Sequence, residues 1–364
     1  MSEIRYNRLK DSYVIIAPER LHRTSCDIHE IERRTERRVC PFCEGNERFT
    51  PNEIFALRSS DSFANEIGWK TRVVPNLFKA VQIEAPYQHH YGMFEHWDGF
   101  GAHEIIIDTA KHYTSMTQWS EENIIDWFIT LGLRVKDLKK DKRIASLSLF
   151  KNEGVEAGAT QPHSHTQIIG LPIVAKSKKE EYERLYEHYK HNQNSLIQLL
   201  IEEEIKADES RIIASNGEFT AFCPYASSHP FEVMISSTKA LGEIDTLSNN
   251  SLKELSSLLL LVLKKLKKQL KYLNFNLILS TPPLHENTFS EELLNSMYEA
   301  NRFYIQIIPR IYKYGGFEQE TDILINPVSP ELAAKLLRES LYEKRIITIL
   351  CQRSLSFCEN RWIS

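Results

Sequence analysis

The chain has 364 residues, of which 42% are hydrophobic and 26% are charged. These fractions are close to those of soluble globular proteins and exclude a disordered or fibrous chain, and the length allows one large domain or two fused units. The formal net charge of −4 provides no global positive field for nucleic acid or an anionic membrane surface. We therefore expect no nucleic-acid partner and no membrane partner.

The compartment is predicted from apolar runs and cysteines. The longest apolar run, at residues 258–263, is far shorter than the roughly 20 residues that a bilayer-spanning helix needs. Residues 1–20 are polar and charged, without the apolar stretch of a secretory signal. Six cysteines in so long a chain do not form a disulfide scaffold. We therefore expect a cytoplasmic protein.

Strands and helices alternate along the chain. In the first half, apolar and β-branched segments predict strands at residues 13–17, 80–84, 104–108, 146–151 and 166–171. Residues 120–138 predict an amphipathic helix with Ser120 as its N-cap. The second half repeats the plan, with predicted strands at 219–224, 231–236, 275–280 and 303–309 and a helix at 249–272.

The repeated order of strand, loop, polar cap and amphipathic helix predicts an ancient duplication; two unrelated α+β segments are the alternative. We assign residues 1–175 to an N-terminal half that carries the chemical motifs and residues 208–364 to a C-terminal half without the catalytic histidines. Residues 176–207 are charged, with apolar residues at mostly helical intervals, and they predict a connecting helix or pair of helices.

The most informative segment is KNEGVEAGATQPHSHTQIIGLP, at residues 151–172. In an extended strand His163, His165 and Gln167 share one face, because side chains alternate. The preceding glycines, Gly154 and Gly158, indicate a loop that can approach phosphate. One imidazole can bind a metal while the other attacks phosphorus, provided that a hydrogen bond on its Nδ1 leaves Nε2 unprotonated. The amide of the glutamine can donate to a phosphoryl oxygen.

A second motif, CPFC, places Cys40 and Cys43 at a spacing that suits two thiolates on one tetrahedral zinc ion. The sequence has no second C-x-x-C, so histidines are the expected remaining ligands: His163 with either His103 or His112. A thioredoxin-like redox pair is the alternative.

Two arginines near the N-terminus, Arg20 and Arg23, follow a predicted strand. Guanidinium groups in such a place suit bidentate contacts with phosphate. Surface arginines in a turn are the alternative.

With these motifs in order, the chain resembles the galactose-1-phosphate uridylyltransferases and their relatives the ADP-glucose phosphorylases, the transferase branch of the histidine-triad superfamily. The resemblance runs through the segments RYNRL, VIIAPER, CPFCEGNE, VVPNLF, IIIDTAKH, NEGVEAGATQPHSHTQ, HPFEVMI, IIPRI and GGFE. It implies an α+β protein with a duplicated histidine-triad-like fold, in which two antiparallel-sheet halves are flanked by helices, commonly as a homodimer.

The resemblance also implies roles for individual residues. His165 matches the nucleophile that takes the nucleotidyl group, and Gln167 matches the residue that contacts its phosphate. His112 is preferred to His103 because DTAKH matches a family segment. The implied ligands of a structural zinc are Cys40, Cys43, His112 and His163. The implied contacts of nucleotide and phosphates are Arg20, Arg23, Asn76, Asn152, Gly158 and Thr160, and Glu318 lies in the segment that holds the hexose in relatives.

The implied reaction is a ping-pong transfer in galactose and nucleotide-sugar metabolism, as in a UDP-glucose:hexose-1-phosphate uridylyltransferase. Its substrates would be a nucleoside diphosphate sugar and a sugar 1-phosphate. Ser164 stands where uridylyltransferases typically have proline and ADP-glucose phosphorylases have serine, so an ADP-glucose or dinucleoside polyphosphate phosphorylase is the alternative. A metallohydrolase with an open zinc site and a zinc-bearing nucleic-acid-binding module are the alternatives from other classes.

Overall fold

The computed structural model describes residues 2–23, 39–207, 211–284 and 289–340. These residues form the following strands: β1 (Glu3–Asn7), β2 (Ser12–Ile16), β3 (Phe55–Arg58), β4 (Trp69–Pro75), β5 (His89–His90), β6 (His96–Trp97), β7 (Ala102–Ile107), β8 (Ser146–Glu153), β9 (His165–Leu171), β10 (Ile212–Asn216), β11 (Phe219–Phe222), β12 (Val233–Ser237), β13 (Phe275–Leu279), β14 (Tyr304–Pro309) and β15 (Leu324–Asn326).

The same residues form these α-helices: α1 (Glu121–Leu138), α2 (Lys176–Asn192), α3 (Leu196–Lys206), α4 (Asn249–Gln269), α5 (Glu291–Ala300), α6 (Gly316–Thr321) and α7 (Pro330–Glu339). In this described part of the chain, no helix is both long enough and apolar enough to span a membrane.

Ten strands form one sheet in the order β10-β11-β12-β14-β13-β8-β9-β7-β4-β3. Every neighbouring pair is antiparallel. The two halves of the chain meet at the centre, where Phe275 pairs with Glu153 and Leu279 pairs with Leu149. The β-structure of the two halves is therefore continuous.

The order of strands confirms the duplicated fold. Counted outward from the central pair, the first half runs β8-β9-β7-β4-β3 and the second runs β13-β14-β12-β11-β10. Each strand thus has a counterpart of the same rank in the chain. The long helices correspond as well, because α1 connects β7 to β8 and α4 connects β12 to β13.

Helices α1 and α4 contact each other and cover the main core. Ser120 begins α1 as predicted: its hydroxyl accepts from the backbone N–H of Asn123, a capping arrangement typically worth about 1 kcal/mol. Trp127 of α1 is fully buried and its Nε1–H donates to Thr166 Oγ1 at 2.9 Å. The helix is thereby fixed to β9, the strand that begins with His165.

The opposite face of β9 carries the candidate chemistry. Side chains alternate along a strand, so Thr166 and Ile168 face α1 while His165 and Gln167 face the other way. On the second half, the corresponding face is covered by α2 and α3, whose apolar side chains form a cluster with β11, β12 and β14. Residues 176–207 thus fold as a pair of helices.

The strand predicted at residues 80–84 is wrong. Among the described residues, this stretch forms only one β-bridge, between Gln82 and Phe100. Ile83 is 38% exposed, so the alternating pattern has no apolar face to bury. The helix predicted to reach residue 272 ends at Gln269, because Leu270 has an extended backbone.

Strands β3 and β4 were not predicted. The sequence of β4, WKTRVVP, is interrupted by two cations, which conceal the apolar pattern. Arg72 is nevertheless buried, because its Nε donates to Glu53 Oε2 at 3.0 Å. An ion pair formed at long range is not visible in local periodicity.

Candidate active site

Two cysteines and two histidines converge next to the start of β9. Cys40 and Cys43 lie in a turn in which the N–H of Cys43 donates to the carbonyl of Cys40. The Sγ of Cys43 is 3.2 Å from His112 Nδ1 and 3.7 Å from His163 Nδ1, and the Sγ of Cys40 is 3.6 Å from His163 Nδ1. All four ligand atoms lie within 4.8 Å of one another, so the group can bind a metal ion.

These distances fit a metal ion with tetrahedral coordination. Zinc bonds of 2.3 Å to sulfur and 2.0–2.1 Å to nitrogen give a sulfur-to-nitrogen separation of about 3.6 Å at the tetrahedral angle. Burial, followed by the neighbouring Cys40, raises the pKa of Cys43 to about 11. The pocket by itself therefore disfavours two thiolates, and a bound dication would offset that cost. Two thiolates with two imidazoles are a donor set typical of zinc.

His163 is prepared for ligation by its other ring nitrogen. Its Nε2 lies 2.9 Å from the carbonyl oxygen of Thr109, so Nε2 carries the hydrogen and Nδ1 presents a lone pair to the thiols. The ring is fully buried, and burial is the main reason that the pKa of His163 is lowered to about 4. The imidazole is therefore neutral, as a metal ligand must be.

His165 has the orientation that a nucleophile needs. Its Nδ1 lies 2.9 Å from the carbonyl oxygen of His163, so Nδ1–H donates and the lone pair is on Nε2. No group in the described residues forms a hydrogen bond with that Nε2. Burial, and after it the charge of Lys151, lowers the pKa of His165. The ring of Phe42 contacts it edge-on, with ring centroids 5.5 Å apart.

A buried ion pair supports the backbone behind the two histidines. Lys151 Nζ donates to Asp108 Oδ2 and to Ser164 Oγ, both at 2.7 Å, and to the carbonyl of His165 at 3.1 Å. The lysine and the aspartate are each 1% exposed. The sequence did not indicate a role for this lysine or this aspartate, because neither stands in a spacing that marks a site.

Gln167 lies in a second network on the same face. Its Oε1 is 2.9 Å from His103 Nε2, which is also 2.9 Å from Asn76 Nδ2. The structure thus brings together two residues that the resemblance implied, and it places His103 between them rather than at the cysteines. From the sequence, His103 was predicted only as a possible zinc ligand.

The glycine loop between β8 and β9 is a closed turn. Gly154 and Gly158 have φ angles of +86° and +87°, in the region that favours glycine. The backbone N–H groups of residues 157–159 donate to the carbonyls of Gly154 and Val155, so they are not free for phosphate. Asn276 Nδ2 of β13 donates to the side-chain oxygen of Asn152, at the end of β8, at 2.8 Å and to the carbonyl of Ala157 in the loop at 2.9 Å, which ties this loop to the second half of the sheet.

The remaining implied residues lie apart from these networks. Thr160, in the loop before β9, and Arg20, after β2, have exposed side chains. Glu318 lies in α6, where its carboxylate accepts from the N–H of Gly315 at 3.0 Å. In the described part of the chain, none of the three forms a hydrogen bond with the histidines or with Gln167. The side chain of Arg23 lies outside what the structure describes.

Comparisons with known proteins show which proteins the chain is similar to. Residues 1–175 match the family described as "Galactose-1-phosphate uridyl transferase, N-terminal domain". An ADP-glucose phosphorylase from Arabidopsis thaliana is 27% identical over 93% of this chain and 92% of its own length. A galactose-1-phosphate uridylyltransferase from Thermotoga maritima is 23% identical over 94% of this chain and its full length.

A solved structure gives the same result. The crystal structure of an ADP-glucose phosphorylase from Arabidopsis thaliana with bound ADP-glucose matches with a TM-score of 0.76 and 26% identity, over 93% of this chain and 98% of that chain. Residues 1–175 are therefore similar to the N-terminal domain of the galactose-1-phosphate uridylyltransferases, and the chain is an enzyme of the nucleotidyltransferase class.

Proposed function

We propose that the enzyme transfers a nucleotidyl group from a nucleoside diphosphate hexose to a phosphate-bearing acceptor through His165. The observation that carries this proposal is the hydrogen bond from His165 Nδ1–H to the carbonyl of His163. It leaves the Nε2 lone pair free on a face that also carries Gln167. A neutral imidazole held in this tautomer is the form that attacks phosphorus.

The transfer has two balanced steps. In the first, His165 Nε2 bonds to the α-phosphorus while the bond from that phosphorus to the bridging oxygen breaks, and hexose 1-phosphate leaves with the electron pair. Nδ1–H stays on the ring and continues to donate to the His163 carbonyl, which stabilises the resulting imidazolium. In the second step, an acceptor phosphate oxygen attacks the same phosphorus and the phosphorus–nitrogen bond breaks.

The metal that we propose for the Cys40, Cys43, His112 and His163 group is a structural zinc ion. Four protein ligands leave no coordination position for substrate. Its contribution would be to fix the backbone of His163, whose carbonyl orients His165. We infer further that the enzyme is a homodimer, as the resemblance implies, and that it is located in the cytoplasm.

Two candidates differ in the nucleotide donor. The first is the UDP-glucose:hexose-1-phosphate uridylyltransferase reaction, supported by the family that residues 1–175 match. The second is phosphorolysis of ADP-glucose, or of a dinucleoside polyphosphate. Ser164 and the 27% identity to an ADP-glucose phosphorylase favour ADP-glucose within this second candidate.

Product analysis separates the two candidates. The enzyme would be incubated with UDP-glucose plus galactose 1-phosphate, and with ADP-glucose plus inorganic phosphate, and the sugar nucleotides separated by chromatography. UDP-galactose in the first mixture supports the uridylyltransferase, and ADP in the second supports the phosphorylase. His165→Gly is the control, and product formation by that variant at the wild-type rate would contradict the nucleophilic role.

A further inference from the structure

A further role concerns His103, which stands in β7 between two side-chain amides. Its Nε2 is 2.9 Å from Gln167 Oε1 and 2.9 Å from Asn76 Nδ2. On the other side of the ring, the backbone N–H of Ala80 donates to Nδ1 at 3.0 Å. The ring is therefore held at both nitrogens.

The backbone contact decides the tautomer of His103. A backbone N–H can only donate, so Nδ1 must carry the lone pair. A neutral imidazole has one hydrogen, which is then on Nε2. That hydrogen is donated to Gln167 Oε1, the acceptor within 2.9 Å.

This fixes the direction of the Gln167 amide. Because its oxygen accepts from His103, its nitrogen points the other way. The two N–H groups of that nitrogen have no acceptor in the described residues. Without the imidazole, the amide would be free to turn over and present its oxygen, which repels an anion.

The amide of Asn76 is oriented in a similar way. Its Oδ1 accepts from the backbone N–H of Phe78 at 2.9 Å, so its nitrogen faces His103 Nε2. Both nitrogens carry hydrogen, so this close approach is not a hydrogen bond. The N–H groups of Asn76 therefore also lack an acceptor in the part of the chain that the structure describes.

We propose that His103 is a positioning residue that directs the amide nitrogen of Gln167 toward the phosphate of a bound nucleotide, beside the amide nitrogen of Asn76, which the N–H of Phe78 orients. The inference rests on the proposed function. Two amides whose oxygens are already engaged offer up to four neutral N–H donors. Such a site binds a phosphate through neutral groups, without placing a further cation beside Lys151.

The test isolates the contribution of the phosphate to binding. In the His165→Gly background, which cannot form a covalent adduct, the dissociation constants of uridine, UMP, adenosine and AMP are measured by calorimetry. The ratio of the nucleoside constant to the nucleotide constant is the phosphate increment. His103→Leu should reduce this increment about tenfold or more, since a hydrogen bond to a charged group contributes that much, and should leave the nucleoside constants unchanged.

Rescue and control variants separate positioning from a structural role. His103→Gln retains an N–H donor that can reach Gln167 and should restore most of the increment. If His103→Leu fails to fold, His103→Asn is used instead. Its side chain is too short to reach the glutamine, so it should reduce the phosphate increment in the same way. His188→Leu is the matched control: that imidazole also contacts an amide oxygen, 3.0 Å away on Asn194, and its loss should not change the increment.

The possible outcomes distinguish a failure of the positioning role of His103 from a failure of the proposed function. An unchanged phosphate increment in His103→Leu, or an equal loss of affinity for nucleosides and nucleotides, would overturn the positioning role alone. If the His165→Gly protein bound none of the four ligands, the proposed function would fall and this inference with it.

Discussion

Among the residues behind the active site, Lys151 is the one whose replacement should lower the free energy of unfolding most. In Lys151→Met the carboxylate of Asp108 stays buried without its partner, and Ser164 Oγ and the His165 carbonyl lose a donor. Removing one partner of a buried ion pair typically costs about 3–5 kcal/mol. We expect a loss of that size in the free energy of unfolding, together with slower nucleotidyl transfer because the backbone of His165 loses its support.

The assay is urea unfolding followed by circular dichroism, with two comparisons. Lys140→Met removes a pair of similar length, 2.9 Å to Asp137, whose side chains are 74% and 48% exposed; it should cost less than about 1 kcal/mol. The double variant Lys151→Met, Asp108→Asn leaves no unpaired charge and should recover most of the lost stability.

Two results would refute this reasoning. If Lys151→Met cost no more than Lys140→Met, the buried pair would not stabilise the fold. If the double variant were as unstable as Lys151→Met alone, the cost would come from lost packing of the lysine stem rather than from the unpaired carboxylate.

Two further predictions concern the metal group and the pH dependence of stability. Cys43→Ser should lower the zinc content from about one ion per chain and reduce the Tm, whereas Cys223→Ser, a buried cysteine outside the group, should keep its zinc; equal zinc content in both would contradict the ligand assignment. Burial raises the pKa of Glu243 from 4.5 to about 7, so the folded state holds a proton that the unfolded state releases, and this contribution to stability is lost as the pH rises through that window. In Glu243→Gln, whose side chain can still accept from Asn301, the free energy of unfolding should depend less steeply on pH between pH 5 and pH 8. A slope equal to that of the wild type would refute the pKa shift.

The sequence was sufficient for much of the fold because most elements have a local pattern. Ser120 and the apolar stripe of α1 predicted that helix, and the repeated order of elements predicted the duplication. The pairing of β8 with β13 was not predictable, because the sequence of each strand is equally consistent with an edge strand of a separate sheet in its own half. Strand β4 was missed because Arg72 is neutralised by Glu53, which lies in a different segment.

The site was predictable to the extent that it depends on motif residues. The C-x-x-C spacing and the resemblance indicated the four residues that the structure brings together. Spacing could not identify Lys151 and Asp108, since both lie in ordinary strand-like segments. The contact between His103 and Gln167 follows from the register of β7 against β9, where Ile105 pairs with Gln167, and that register is a property of the folded sheet.

The central claim is that His165 carries the nucleotidyl group, and intact-protein mass spectrometry tests it most directly. The enzyme would be mixed briefly with UDP-glucose or ADP-glucose and quenched at alkaline pH, because a phosphoramidate is labile in acid. We predict one added uridylyl or adenylyl mass, located on the peptide that contains His165 and absent from His165→Gly. No adduct from either donor, or an adduct that persists in the variant, would contradict the account.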